Sequence, residues 1–491
     1  MNKKNLTLII LFLIVVVGAF FRLYRINDFA TFLGDQGRDA IIVKRIAMLE
    51  HFPAIGASMS LTAKNGSSVF LGPFYYYLLS PFQALSFNNP LGLAVGTALI
   101  NSISIIFVFL IARVFVKPSA ALLAATLTAL SFSNISLSRF AWNPNILPFF
   151  SLVTLYFFID SITKKRIWSF ILFGAFCGMA LQLHYIYLTF APAYGAVILL
   201  LIAVKKLSWK QALKFGYSLA AFILVSSPLI LFDLRHQFIN SKAIISVLTS
   251  NTEVLGVSHH VGLFESLFLA YQTFLNFVFK VQIEYMIVEM LFVAIPALLF
   301  YIAYKKRSLP LFIITAIFTL SFCIISFYHG EKYIHYFTPF YYLFYIMVAA
   351  IFGFLTDHYR RIGMIVMVVF IGLYGYLNIS HVDFLISHGD MQIARSEKVA
   401  RSIASHLHTT NYSLTALPNQ YSDSTYRYFL EVWGKRPSEK DMQVRTDELI
   451  VICEETCQPI GNGQWDIAYF APAKIIESWK FERFTIYRLS H

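Results

Sequence analysis

Asp35, Arg38 and Asp39 fall within five residues of one another in "FLGDQGRDA", Phe32 to Ala40, where most of the surrounding sequence is apolar. Aspartates four apart share one face of a helix, and an arginine one residue before the second lies beside them. A carboxylate partly withdrawn from water can take a proton from a hydroxyl. An arginine alongside can grip a phosphate through two parallel hydrogen bonds. The ordinary reading of an isolated D-x-x-R-D is a solvated or snorkelling face of an interfacial helix. The motif therefore has to be judged by what positions it.

The chain has 491 residues, 58% hydrophobic and 17% aromatic but only 13% charged, against about 25% charged in soluble domains. Apolar runs such as Leu91–Ala112 suffice to cross a hydrocarbon core of roughly 30 Å. The sequence is that of a mostly α, polytopic membrane protein. The opening Leu6–Phe21 run lacks a small-residue cleavage site after it and reads as a retained signal-anchor helix.

Basic residues set the expected topology. With Lys3 and Lys4 cytoplasmic, spans near 6–21, 91–112, 119–137, 146–160, 167–184, 187–204, 215–232, 285–304, 309–327, 336–356 and 362–380 put Arg113, Lys117, Lys164–Arg166, Lys205–Lys214, Lys305–Arg307 and Arg360–Arg361 inside. That gives 11 spans, and 13 if Val69–Phe87 and Leu263–Val281 also cross. The second count reverses the basic loops, so both segments are assigned to the outer interface. The first of them is Tyr-rich and interrupted by Pro73 and Pro81. Residues 1–380 form the membrane domain, with 22–90 its first extracytoplasmic loop, and the membrane is the plasma membrane.

Residues 381–491 differ in kind. Of the 39 Lys and Arg 27 precede His381, but only 12 of the 26 acids do. Helical patterns at 394–408 and 425–433, with strand-like runs at 412–417, 449–453 and 484–489, predict a small extracytoplasmic α/β domain. Cys453 and Cys457 in "CEETC" can form a disulfide in an outer compartment. Nucleic acid is not expected as a partner, because the basic residues punctuate apolar helices. There is no glycine-rich phosphate loop, HExxH or nucleophile elbow.

"DQGRDAIIVKRI" (35–46), following one N-terminal span, resembles the Asp-bearing first-loop signature of the GT-C membrane glycosyltransferases, in the branch of protein-O-mannosyltransferases and aminoarabinose transferases. "GPFYYYLLSPFQAL" (72–85) and "SLSRFAWNPNILPFFSL" (136–152) are similar to further segments of that family. The resemblance implies a GT-C fold and an inverting transfer from a polyprenyl-monophosphate-linked sugar to a lipid, glycan or protein acceptor, with Asp35 as the catalytic carboxylate. The leaving lipid phosphate needs cations, and Arg38, Asp39, Lys64, Arg139, Arg235, His236 and Lys332 are the candidates around donor phosphate and substrate. Interface anchoring is the ordinary role for such cations. Tyr76, Trp142, Asn143, His184, Tyr328 and Tyr333 are candidates for the sugar or acceptor pocket, against the ordinary alternatives of an aromatic belt and a packing histidine.

Many relatives carry an acid in the outer loop before the fourth span, some for a divalent metal. Here "SRFAWNPN" offers Asn143 and Asn145 instead. Two amides are poor ligands for a hard cation, so no metal and no other cofactor is expected. A transporter or lipid-linked-sugar flippase is the main rival. It would place ionisable groups at mid-membrane, whereas Asp160 and Asp233 lie at span ends and only Glu289 is near an interior. A non-catalytic assembly subunit is the third reading, and it predicts indifference to loss of Asp35.

Overall fold

The computed structural model describes residues 2–62, 68–249, 262–328, 332–440, 444–454 and 457–491. Among them seven helices are long and apolar enough to cross a membrane, or nine if each of two bent pairs counts as one span. The pairs are Pro118–Leu130 with Phe132–Ser138, turning 52°, and Trp209–Val225 with Ser227–Arg235, turning 61°. All eleven expected spans lie on helices, yet length and composition identify only seven to nine. Ile167–Leu183 and Leu309–Ile325 have 17 residues each, about 25 Å of helix. Phe74–Leu85 has 12, about 18 Å, too short to cross.

The first bend shows how a broken span survives in lipid. A helix that stops leaves carbonyls without partners, and hydrocarbon supplies none. The guanidinium of Arg22, fully buried, donates to Gly18 O at 2.9 Å, Thr128 O at 3.0 Å and Ala129 O at 3.4 Å. Asn378 Oδ1 accepts the Phe132 N–H at 2.9 Å, and Ser131 Oγ caps the new helix at Asn134 N.

Beyond the membrane helices the chain makes a four-stranded sheet. A short antiparallel ribbon in the first loop supplies β1 (Ser58–Thr62) and β2 (Ser68–Phe70). The C-terminal strands are β3 (Tyr412–Leu417), β4 (Glu448–Glu454), β5 (Lys474–Phe481) and β6 (Phe484–Ser490), in the order β3–β4–β6–β5. β3 and β4 are parallel and the other pairs antiparallel. β4, "ELIVICE", is buried on both faces, as a central strand requires. Helices Gln392–Ser405, Ser424–Val432 and Trp465–Phe470 flank the sheet, and Cys453 is joined to Cys457 in a disulfide.

This domain is docked on the first loop. The Phe32 N–H donates to Gln392 Oε1 at 2.8 Å, and the Tyr428 hydroxyl donates to Asn88 O at 2.6 Å. Arg45 grips Glu431 through Nε at 2.8 Å and Nη2 at 2.6 Å, and reaches Glu439 at 2.6 Å. Burial alone works to raise the Glu431 carboxyl, but Arg45 outweighs it and holds the group below its usual range. The basic loops gather elsewhere: Lys117 and Lys306 share Asp357 at 2.8 and 2.5 Å, and Lys214 Nζ donates to Lys165 O at 3.4 Å. Leu91–Ala112, 22 residues and about 33 Å long, separates the two ends of the bundle.

Candidate functional site

The helix Gly34–Ala47 carries the charge cluster. Its start is fixed by the Leu33 N–H donating to Gln36 Oε1 at 3.1 Å, and Asp35 in its first turn complements the helix dipole. Its two glycines are explained by the C-terminal domain. A Cβ at Gly37 would stand 2.5 Å from Thr425 N and 2.6 Å from Ser424 C, and one at Gly34 would stand 2.7 Å from Tyr421 O. The 421–425 backbone thus lies directly on the face that bears Gly34 and Gly37. Gly37→Ala is expected to force backbone against backbone, at a cost of about 1–3 kcal/mol. Measured in purified protein, it should lower the melting temperature and open the 421–425 segment to protease. An unchanged melting temperature would contradict the close fit.

Arg38 joins the two aspartates. Its Nη1 donates to Asp35 Oδ1 at 2.9 Å, while Nε and Nη2 donate to Asp39 Oδ1 at 2.9 and 2.8 Å. The aspartates themselves are unlike. The Asp35 side chain is 56% exposed, the Asp39 side chain 1%. The Tyr76 hydroxyl also donates to Asp39 Oδ1 at 3.2 Å, and Asp39 Oδ2 is buried with no hydrogen bond among the described residues. Burial raises the Asp39 carboxyl and Arg38 pulls it back, leaving it above the ordinary value. Asp39, expected near donor and substrate, is instead a buried anchor. Arg38, expected to hold phosphate, has its Nε, Nη1 and Nη2 engaged by the two carboxylates. Tyr76, expected in the pocket, braces the anchor. Asp35 alone of this group faces outward.

A second cluster adjoins the same loop through Gln182. The Gly72 N–H donates to Gln182 O at 3.2 Å and the Phe74 N–H to Gln182 Oε1 at 3.3 Å. Two residues on, His184 Nδ1 accepts the Ile186 N–H at 3.1 Å, which leaves Nε2 to carry the imidazole proton. Burial and the neighbouring His335 push its pKa down to about 3, so the ring is neutral at physiological pH. The His184 ring lies 5.4 Å from that of His335, which in turn lies 4.7 Å from Trp142 and 4.6 Å from Tyr336. Tyr333 stacks on His335 at 5.7 Å and Tyr328 lies 5.9 Å from Tyr336. Asn143 Nδ2 is a buried donor with no partner among the described residues. The structure thus gathers Trp142, His184, Tyr328 and Tyr333. Sequence reasoning missed His335, although "YIHYF" encloses it between tyrosines of the same cluster.

Three expected cations lie elsewhere, a fourth beside the aromatic cluster. Arg139 is buried, donating through Nη1 to Phe21 O at 3.0 Å and Arg22 O at 3.2 Å, its guanidinium 3.8 Å above the Phe384 ring. Its Nη1 closes the end of the first helix. Arg235 and His236 are exposed, and His236 stacks on Phe232 at 4.2 Å; neither touches the Asp35 cluster among the described residues. Lys332 donates to Ser266 Oγ at 2.8 Å, next in sequence to the aromatic cluster. Lys64 lies outside the described residues.

Comparison with known proteins agrees with this architecture. The family of dolichyl-phosphate-mannose-protein mannosyltransferases matches over residues 71–231. ArnT from Cupriavidus metallidurans, solved bound to undecaprenyl phosphate, superposes with a TM-score of 0.58 over 99% of this chain and 98% of its own, at 12% identity. The chain has the GT-C fold. The oligosaccharyltransferase AglB of Archaeoglobus fulgidus, solved with an inhibitory peptide and a dolichol-phosphate, gives a TM-score of 0.53 over 91% of this chain and 69% of its own, at 13% identity. The same oligosaccharyltransferase with Zn and sulfate gives 0.55 over 90% and 67%, at 13% identity. No curated protein matches the chain in sequence. Residues 71–231 match that mannosyltransferase family and the whole chain shares the ArnT fold, that of a multi-pass membrane protein. In this GT-C chain the first-loop helix and the C-terminal domain meet at one end of the bundle, and that is where Asp35 is exposed.

Proposed function

We propose that the protein moves a sugar, with inversion, from a polyprenyl-monophosphate carrier to an acceptor outside the cytoplasm, with Asp35 as the catalytic carboxylate. One observation carries the reading: of two carboxylates tied to one arginine, Asp39 is sealed in the protein and Asp35 faces outward. As the acceptor oxygen attacks the anomeric carbon, its proton passes to Asp35. The bond from that carbon to the phosphate oxygen breaks, and the lipid phosphate leaves with the electron pair. Arg38 keeps Asp35 in one orientation. The polyprenyl carriers in the two relatives' solved complexes support a lipid-borne donor here. Neutral His184 with Trp142 and Tyr333 forms the sugar-facing wall, and Lys332 beside it is the cation best placed for phosphate.

The positive-inside rule assigns the end bearing Lys117, Lys165, Lys214 and Lys306 to the cytoplasm. The N-terminus then lies inside and the C-terminal domain outside the plasma membrane. Catalysis is proposed to need no metal: among the described residues no three His, Cys, Asp or Glu side chains converge as ligands. The test is incubation of purified protein with polyprenyl-phosphate sugars, scoring release of free lipid phosphate with and without chelator. Release is expected with at least one carrier and undiminished by chelator. Turnover of nucleotide sugars alone contradicts the donor assignment, and reversible loss on chelation contradicts metal independence.

A further inference from the structure

The 417–421 turn of the C-terminal domain does more than cover the first-loop helix. With Asn462 and Gln464 it lines an open cleft of about 420 Å³, within the roughly 300–1,000 Å³ of small-molecule sites. The cleft lies against the start of the helix that carries Asp35, because the backbone of Tyr421, one of its lining residues, rests on Gly34. Its lining is unusual for a domain surface: four carboxamides, one exposed tyrosine and, among the described residues, no charged side chain.

These amides are pinned from behind. Asn419 Oδ1 accepts the Tyr421 N–H at 2.9 Å, Asn462 Oδ1 accepts the Gln464 N–H at 2.9 Å, and Gln464 Nε2 donates to Thr415 Oγ1 at 2.7 Å. Asn419 Nδ2, Asn462 Nδ2, Gln464 Oε1 and the whole Gln420 carboxamide make no hydrogen bond among the described residues, so both donors and acceptors remain for a ligand. The Tyr421 ring is 60% exposed, and next to Gln464 the Trp465 ring, 56% exposed, stacks on Tyr469 at 5.6 Å. The nearest cation, Lys440, donates to Gln420 O and stands 5.5 Å from the Tyr421 ring.

Fixed neutral donors and acceptors beside flat aromatic faces suit a ligand that is polyhydroxylated, uncharged and partly apolar on one side. An anionic headgroup would call for cations, and an extended peptide would pair with the backbone of the β3 edge rather than with side-chain amides. We propose that this cleft is the acceptor subsite and that the acceptor is a neutral oligosaccharide. The inference rests on the transferase reading, since it supplies the hydroxyl that Asp35 deprotonates.

The test uses the purified full-length protein and an array of neutral di- to tetrasaccharides of hexoses and N-acetylhexosamines, with peptides as controls. Retention of a saccharide above the peptides is expected. Tyr421→Ala and Gln420→Ala, both at side chains without interior hydrogen bonds, should each weaken it by about tenfold. No saccharide retained above the peptides, or both variants binding as tightly as the parent, overturns the proposal. Release of lipid phosphate from donor is scored on the same preparation. Donor cleavage without saccharide binding defeats this inference alone, whereas saccharide binding with no cleavage of any carrier supports the cleft and defeats the transferase.

Discussion

Asp35→Asn is expected to lower sugar transfer by about 10²- to 10⁴-fold, the contribution of a positioned general base, while the protein still inserts, folds and binds donor lipid. The change is nearly isosteric and removes the charge that accepts the proton. Little stability should be lost, because the Arg38 contact of Asp35 joins side chains 35% and 56% exposed, and such pairs contribute about 0–1 kcal/mol. Asp39→Asn separates the roles. It lies out of reach of substrate, so its effect should fall on melting temperature as well as on rate. The measurement is single-turnover transfer beside thermal unfolding of the same detergent preparations. Full activity in Asp35→Asn would remove the carboxylate from the mechanism.

The membrane domain was legible because apolar runs report burial in lipid directly, and every expected span falls on a helix. Its two sharp bends were not. "SFSNIS" and "SSPL" break the pattern with only serines, one asparagine and one proline, and the partner that makes the first break tolerable, Arg22, comes from the N-terminal helix 106 residues earlier. In the tail, β4 announces itself by a run of buried apolar residues, whereas β5, "KIIESWKF", is an edge strand whose outward residues obscure any alternation.

The site divides the same way. The pairing of Asp35 with Arg38 follows from helical spacing alone. The burial of Asp39 does not, because it depends on Tyr76, brought to it from 37 residues further along the chain. Gly34 and Gly37 read as poor helix formers until Tyr421 and Thr425 show what a side chain there would strike. Arg139 looked like a loop cation because Phe384, which it covers, lies so far along the chain.

Arg38→Met is expected to destabilise the protein by about 3 kcal/mol, the lower end for breaking a buried pair, since the arginine is itself a third exposed. The loss follows from Asp39, which would keep one hydroxyl donor, Tyr76, against full burial. The sign of its pH dependence is fixed. Burial already raises the Asp39 carboxyl in the folded state, with Arg38 opposing it. A carboxyl raised on folding contributes stability that is complete below its unfolded value and is lost as pH rises through its folded value. Without Arg38 the folded value moves higher still, so the deficit relative to the parent should be larger at neutral than at acid pH. Adding Asp39→Leu removes the charge that cannot be left unpaired, and the double variant should regain most of the lost melting temperature. It should not regain transfer, because Asp35 has lost the guanidinium that orients it. A deficit in Arg38→Met that is the same at both pH values, or a double variant no more stable than the single, would show that Asp39 is not the buried anchor of this helix.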